Sequence, residues 1–397
     1  MTRFDRARSR RQVGRRDQDV VELLATKVVA RAPRSCPARN VRQKPDVEQS
    51  VPHSFRLGFA VKILGEGGLR TADTRRWQSS PHLSRSLELL GPAFESLDRR
   101  DLRVFRLSSS IVPYGTHPDL PQLDYRRQID ACAGELAALG ARARAFGLRL
   151  STHPGQYTVL SSPDEALRRK SSSDLEQDAL LLDALGQGPE AVVVVHVGGH
   201  YGDRASALDR WSHAYEALSQ RARARVVVEH DERAFDVTDV LELHRRVGVR
   251  VVFDWHHHRC NPAPSLADPV EALAAAYATW PDGVRPKAHL SSSRTELRVV
   301  GRGASARPVA PLLDQHADFA TPWDATAVLR AAPGPLDLMV EAKAKDLAVL
   351  WLRDQLRRVD PDLAGAEELS APAPRAVRAR RRRARAGPSP ARTPAGS

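Results

Sequence analysis

Between residues 51 and 365 the chain alternates two patterns of apolar positions. The first is a short, unbroken apolar run. It predicts eight strands: Arg56–Val61, Arg103–Leu107, Leu148–Ser151, Ala191–Val197, Arg225–Glu229, Arg250–Asp254, Pro286–Leu290 and Asp337–Glu341. The β-branched stretch Val192-Val193-Val194-Val195 suits a strand covered on both faces, as in a parallel sheet. The second pattern is helical. Ile129, Cys132, Leu136, Leu139, Ala143 and Phe146 recur at three and four residues and make one apolar stripe. Asp174 is the expected cap of a helix that runs to Leu185 and stops at Gly186. Thr238 and Gly248 are expected to frame another helix in the same way.

Eight strands with intervening helices predict an α/β fold, a (β/α)8 TIM barrel. Strand alternation alone also fits an open, doubly wound sheet. No Gly-x-Gly-x-x-Gly follows an early strand, so no nucleotide cofactor is expected. The Gly65-Glu66-Gly67-Gly68 stretch reads as a loop rather than a phosphate cradle.

Charge changes the picture only at the ends. Residues 1–50 carry a net charge of +7 and residues 371–397 carry +8, so of the overall +13 the remainder holds −2. The division expected is a basic, disordered leader (1–50), a barrel (51–365) and an Ala/Pro/Arg-rich disordered tail (366–397). Arg-rich ends hold DNA through phosphate contacts, although a low-complexity coding bias explains them as well. No run of 18 uncharged apolar residues exists, so no membrane partner is expected. Cys36, Cys132 and Cys260 show no paired spacing, which fits a reducing cytoplasm.

The chemistry lies at the ends of the strands. His153 follows the third, His196 ends the fourth, and Glu229 ends the fifth, followed by His230. Asp254 ends the sixth, followed by His256, His257 and His258. Lys287 and His289 lie on the seventh, and Glu341 ends the eighth. His117 follows the second strand and His316 lies beyond the seventh. In a barrel these ends face one pocket. Imidazole and carboxylate together ligate zinc, manganese or iron. So many ligands exceed the needs of one ion, so two or three divalent ions, Mn2+ or Zn2+, are expected. A buried acid after Val226-Val227-Val228 is costly unless a cation balances it. Clustered divalent ions suit phosphate ester hydrolysis, and no nucleophile-elbow Gly-x-Ser-x-Gly is present.

Arg56-Leu57-Gly58-Phe59, Phe105-Arg106-Leu107-Ser108-Ser109, His153-Pro154-Gly155-Gln156-Tyr157-Thr158-Val159-Leu160 and His196-Val197-Gly198-Gly199 resemble the UV damage endonucleases. So do Phe253-Asp254 with His256-His257, Lys287-Ala288-His289-Leu290-Ser291-Ser292, His316-Ala317-Asp318 and Glu341-Ala342-Lys343. The resemblance implies a xylose-isomerase-like, AP-endonuclease-like barrel acting on damaged double-stranded DNA. It implies a nick immediately 5′ to cyclobutane dimers, 6-4 photoproducts and some abasic sites, leaving a 3′-hydroxyl and a 5′-phosphate. His153, His196 and Glu229 resemble the ligands of one ion. Glu229, Asp254, His289 and Glu341 resemble those of a second, and His257 and His316 those of a third. Glu229, Lys287 and His117 are the candidate catalytic residues, with Lys287 matching a lysine carboxylated in some members. Gln156 and Tyr157 match a pair that probes the duplex, and Phe59 stands near the lesion-probing surface where a Tyr is common. The resemblance also implies a cytoplasmic monomer that meets DNA in the nucleoid. The alternatives are a metal-dependent sugar isomerase or epimerase on the same barrel, and a non-catalytic DNA-binding protein.

Overall fold

The unbroken apolar runs become strands enclosed on both sides. In the computed structural model, which describes residues 52–369, the strands are β1 (Phe55–Ala60), β2 (Val104–Arg106), β3 (Arg149–Thr152), β4 (Val192–His196), β5 (Val226–Glu229), β6 (Arg250–Asp254), β7 (Lys287–Leu290), β8 (Arg298–Val300), β9 (Arg307–Val309) and β10 (Leu336–Val340). All five residues of β10 and all four of β5 are buried. Eight strands close a barrel in the order β1-β10-β7-β6-β5-β4-β3-β2, every pair parallel. This is the expected (β/α)8 barrel, and the open sheet is set aside. β8 and β9 form a separate antiparallel hairpin that the apolar pattern did not predict; both strands are exposed, so no buried run marks them.

The helices are α1 (Leu83–Arg99), α2 (Tyr125–Ala131), α3 (Ala133–Ala145), α4 (Glu165–Ala184), α5 (Arg204–Glu216), α6 (Gln220–Arg225), α7 (Val237–Val247), α8 (Trp255–Cys260), α9 (Pro269–Tyr277), α10 (Pro322–Ala331), α11 (Lys345–Val359) and α12 (Pro361–Gly365). Their apolar faces and the outward faces of the strands make one continuous core. The stripe from Ile129 to Phe146 is divided between α2 and α3, which meet at Cys132. Asp174 does not cap a helix. It lies inside α4, where Thr116, Thr158 and Lys170 donate to its carboxylate, and Asp164 is the cap. Asp236, not Thr238, caps α7. An acid two residues earlier competes for the same backbone N–H groups and wins by its charge. Gly186 and Gly248 end their helices as expected, both in the left-handed region.

The interior of the barrel at its N-terminal end is ionic. Buried Asp337 on β10 accepts from Arg56 Nε at 2.7 Å and Arg149 Nη1 at 2.8 Å. This network ties β1, β3 and β10 together at the end away from the candidate ligands. The expected boundary at 365 is early. Phe55 donates its N–H to the Ala366 carbonyl, Glu368 donates to the Phe55 carbonyl, and Glu367 pairs with Arg353 at 2.7 Å. The expectations for 1–50 and 371–397 lie outside the described residues. Among the described residues no helix is long and apolar enough to cross a membrane, and Cys132 and Cys260 are free.

Candidate metal centre

Strand register assembles the site. In the β4–β5 pair His196 stands beside Glu229, and in the β6–β7 pair Asp254 stands beside His289. The strands end together, so these side chains meet at the C-terminal mouth of the barrel. The carboxylate of Glu229 is the hub. His153 Nε2 lies 3.3 Å and His196 Nε2 3.8 Å from Oε2. His257 Nδ1 lies 3.3 Å and His289 Nδ1 3.0 Å from Oε1. His289 Nδ1 is also 3.2 Å from Glu341 Oε1.

Three groups of ligand atoms fall within reach of a common ion: His153, His196 and Glu229; Glu229, Asp254 and His257; Asp254, His289 and Glu341. The first set is the one the resemblance implied. The third is the implied second set without Glu229, and the second pairs His257 with Glu229 and Asp254 rather than with His316. The donors fit cations. Glu229 Oε2, Asp254 Oδ2, His196 Nδ1 and His289 Nε2 are buried without a hydrogen-bond partner. Each such atom costs about 1–3 kcal/mol when nothing balances it, and cations held at these groups would offset that cost at the two carboxylates. Buried His, Asp and Glu clusters of this kind can bind metal ions.

Second contacts aim the rings. His153 Nδ1 meets the Pro154 carbonyl at 3.1 Å and His316 Nδ1 the Glu341 carbonyl at 3.0 Å. A ring that donates from Nδ1 presents a bare Nε2, the arrangement usual for metal-ligating histidine. Gly198, two residues after His196, has φ +103° and a Cβ there would come within 2.4 Å of Val159 Cγ1. Only glycine admits that turn.

Electrostatics agree with a cation site. Burial raises the cost of charging Glu229, yet His289, His196, His153 and His257 hold its carboxyl well below the usual range. Burial likewise opposes the charge on His257, but Asp254 and Glu229 hold its pKa well above the usual value. Lys287 is fully buried, and burial with Arg149 and Arg106 nearby drives its pKa well down; Nζ donates to Ser151 Oγ at 2.5 Å.

The other expected site residues are placed as follows. His316 packs 5.3 Å from the His256 ring and 5.8 Å from His257, outside the three groups. His117 is exposed, packs on Tyr114 and accepts from the Asp119 N–H, also outside them. Gln156 and Tyr157 are exposed on the loop after β3, Tyr157 at 74%. Beside that loop a cavity of about 380 Å³ is lined by Tyr114, Tyr157, Asp174 and Asp178. Phe59 is corrected: it is 0% exposed, packed edge-on to Phe105 at 5.4 Å, and offers no surface to a duplex. A strand position that points into packing cannot also face solvent. His230 is a buried acceptor for the Asp254 N–H at 3.0 Å, and burial and His257 push its pKa well down. His258 meets the Ala267 carbonyl at 3.1 Å.

Arg106, quoted above only within a motif, is a further charged residue at the centre. It ends β2 and its guanidinium pairs with Glu341 Oε1. A reading of strand ends for charged residues of either sign, not ligands alone, finds it.

The comparisons with known proteins bear on this centre. The model of the family described as UV-endonuclease UvdE matches residues 93–377. The chain belongs to that family. A UV DNA damage endonuclease of Bacillus velezensis is 32% identical over 321 residues, 77% of this chain and 95% of the relative. The enzyme of the same name from Bacillus pumilus is 32% identical over 65% of this chain and 76% of its own. Among solved structures, SacUVDE is similar at a TM-score of 0.63 and 25% identity, over 77% of this chain and 98% of that one. The UvdE family resemblance seen in the motifs is thus borne out. Membership makes the chain a DNA repair endonuclease, a hydrolase, and sets aside the isomerase and the non-catalytic alternatives.

Proposed function

We propose that this chain cuts the DNA strand immediately 5′ to cyclobutane pyrimidine dimers and 6-4 photoproducts, and also acts at abasic sites, leaving a 3′-hydroxyl and a 5′-phosphate. The observation that carries the reading is the Glu229 carboxylate, buried and met by four imidazoles within 3.8 Å. His153, His196, Glu229, Asp254, His257, His289 and Glu341 would hold two or three manganese or zinc ions, with Glu229 shared and His316 at the edge. When bound, such ions lower the pKa of a coordinated water and offset charge on the phosphate and the departing oxygen.

The chain's own groups do the rest. Glu229, the hub, sets the spacing of the ligand groups. Arg106 holds Glu341 in place and adds a fixed positive charge beside the reacting phosphate. Lys287 holds its amine in the dry interior, where burial favours the uncharged form that accepts a proton or reacts with carbon dioxide. Gln156 and Tyr157 fill the stack where the damaged bases leave it, since damaged bases cost less to extrude and an aromatic ring stacks on those that remain. The chain acts as a cytoplasmic monomer on nucleoid DNA.

The test is a strand-nicking assay. Purified chain with manganese or zinc nicks a UV-irradiated duplex and leaves the unirradiated duplex intact, with 3′-hydroxyl and 5′-phosphate ends by end-labelling. Equal cutting of both duplexes, or none with any of these metals, refutes the reading.

A further inference from the structure

Residues 295–308 are exposed without a break. They contain β8 and most of β9, where Arg298 faces Val309, Val299 faces Pro308 and Val300 faces Arg307. Residues opposite each other share a face and neighbours alternate. One face therefore carries Arg298, Val300, Arg307 and the half-buried Val309, and the other Val299 and Pro308. Neither face is covered: Val299 is 67% exposed and Val300 47%. An unsupported two-stranded hairpin is marginal in water. Its contribution to the core does not account for it.

The base of the hairpin is fixed, and fixed to the centre. Arg294 donates its N–H to the Gln315 carbonyl at 2.8 Å and Ala317 to the Ser292 carbonyl at 2.9 Å, while Ser293 bridges to His316. These anchors follow β7, which carries His289. In the ring of strands β7 stands four places from β3, directly across the mouth. The loop with Gln156 and Tyr157 follows β3, so hairpin and loop flank the centre from opposite sides.

The charge names the partner. Arg298, Arg302 and Arg307 make no ion pair among the described residues, and the one acid of the stretch, Glu296, faces Arg294 at 3.7 Å. By contrast Arg233 is met by Asp314 and Arg259 by Asp324. We infer that the β8–β9 hairpin grips duplex DNA across the mouth from Tyr157, with Arg298, Arg302 and Arg307 on backbone phosphates. The inference rests on the proposed action on DNA.

The experiment compares the full chain with R298A/R302A/R307A by fluorescence anisotropy, with chelator present so that no strand is cut. Irradiated and unirradiated duplexes are titrated from about 50 to about 200 mM salt. Each phosphate contact contributes about −0.9 to the slope of log affinity against log salt. The triple variant is expected to lose between about 2 and 3 from the slope on both duplexes, with affinity down on the order of tenfold or more. R298K/R302K/R307K retains the slope. With metal added, the alanine variant keeps the wild-type kcat on irradiated duplex and raises KM. An unchanged slope in a chain that melts like the wild type overturns the grip and points the apolar face to a protein partner. Failure of the wild-type chain to bind any duplex counts instead against the action on DNA.

Discussion

Arg106 and Glu341 pair across the strand between them, from the end of β2 over β1 to the end of β10. Both side chains are mostly enclosed, 14% and 15% exposed. Burial works against the charge on Glu341, but Arg106 and then His289 hold its carboxyl well below the usual range. The arginine is a built-in countercharge for a ligand group, present whether or not a metal is.

Arg106→Ala should therefore destabilise the metal-free chain. Removing one partner of an enclosed pair costs about 3–5 kcal/mol at the upper end. An added divalent ion supplies the missing charge, so manganese should raise the melting temperature of the variant more than that of the wild type. Differential scanning fluorimetry with chelator and with manganese measures both. An equal loss in the two conditions argues against the countercharge role.

Glu229→Gln keeps the shape of the hub and removes its charge. All three ligand groups share Glu229 or lie next to it. Removing contacts one step further out already costs on the order of 10–100-fold in metal affinity or activity, so nicking should fall by at least that much. Far-ultraviolet circular dichroism should remain that of the wild type, while bound metal falls by elemental analysis. Wild-type turnover in the variant would remove Glu229 from the mechanism.

Tyr157→Ala separates DNA recognition from folding. The ring is 74% exposed, so thermal stability should change by less than about 0.5 kcal/mol. Stacking on a base is worth about 1–3 kcal/mol, so affinity for irradiated duplex should drop between about 5- and 150-fold. Binding of the two duplexes by the wild type and the variant decides it. An equal loss on undamaged duplex would make Tyr157 a general contact rather than a lesion probe.

Asp178 gives a pH signature. It is 2% exposed, and burial pushes its pKa from 3.8 up to about 7. Between those values the folded chain keeps a proton that the unfolded chain has released. Stability contributed by this group is therefore highest below 3.8, falls as pH rises through the window, and stays low above about 7. Asp178→Asn removes the cost. The variant should be more stable than the wild type at pH 8 by on the order of 2 kcal/mol, with the gap closing towards pH 4. Urea unfolding at the two pH values reads it, and a gap independent of pH would show that Asp178 is not the titrating group.

Much of the barrel was legible because its signals are local. A strand buried on both faces must be apolar along its length, so β4, β5 and β6 announce themselves, and glycine at 186 and 248 marks helix ends wherever the chain goes next. His153, His196, Glu229, Asp254, His289 and Glu341 were legible as well, since a barrel carries all its C-terminal strand ends to one mouth. Tertiary structure alone decided what depends on neighbours far away in the chain. It sorted His230 and His258 from the ligands through their hydrogen bonds, joined His257 to Glu229 and Asp254, and enclosed Phe59 against Phe105. It paired Arg106 with a carboxylate 235 residues on and held an exposed hairpin at its base. Local patterning reports which residues are buried; which charge meets which is settled only when strand order and register bring their ends within a few ångströms.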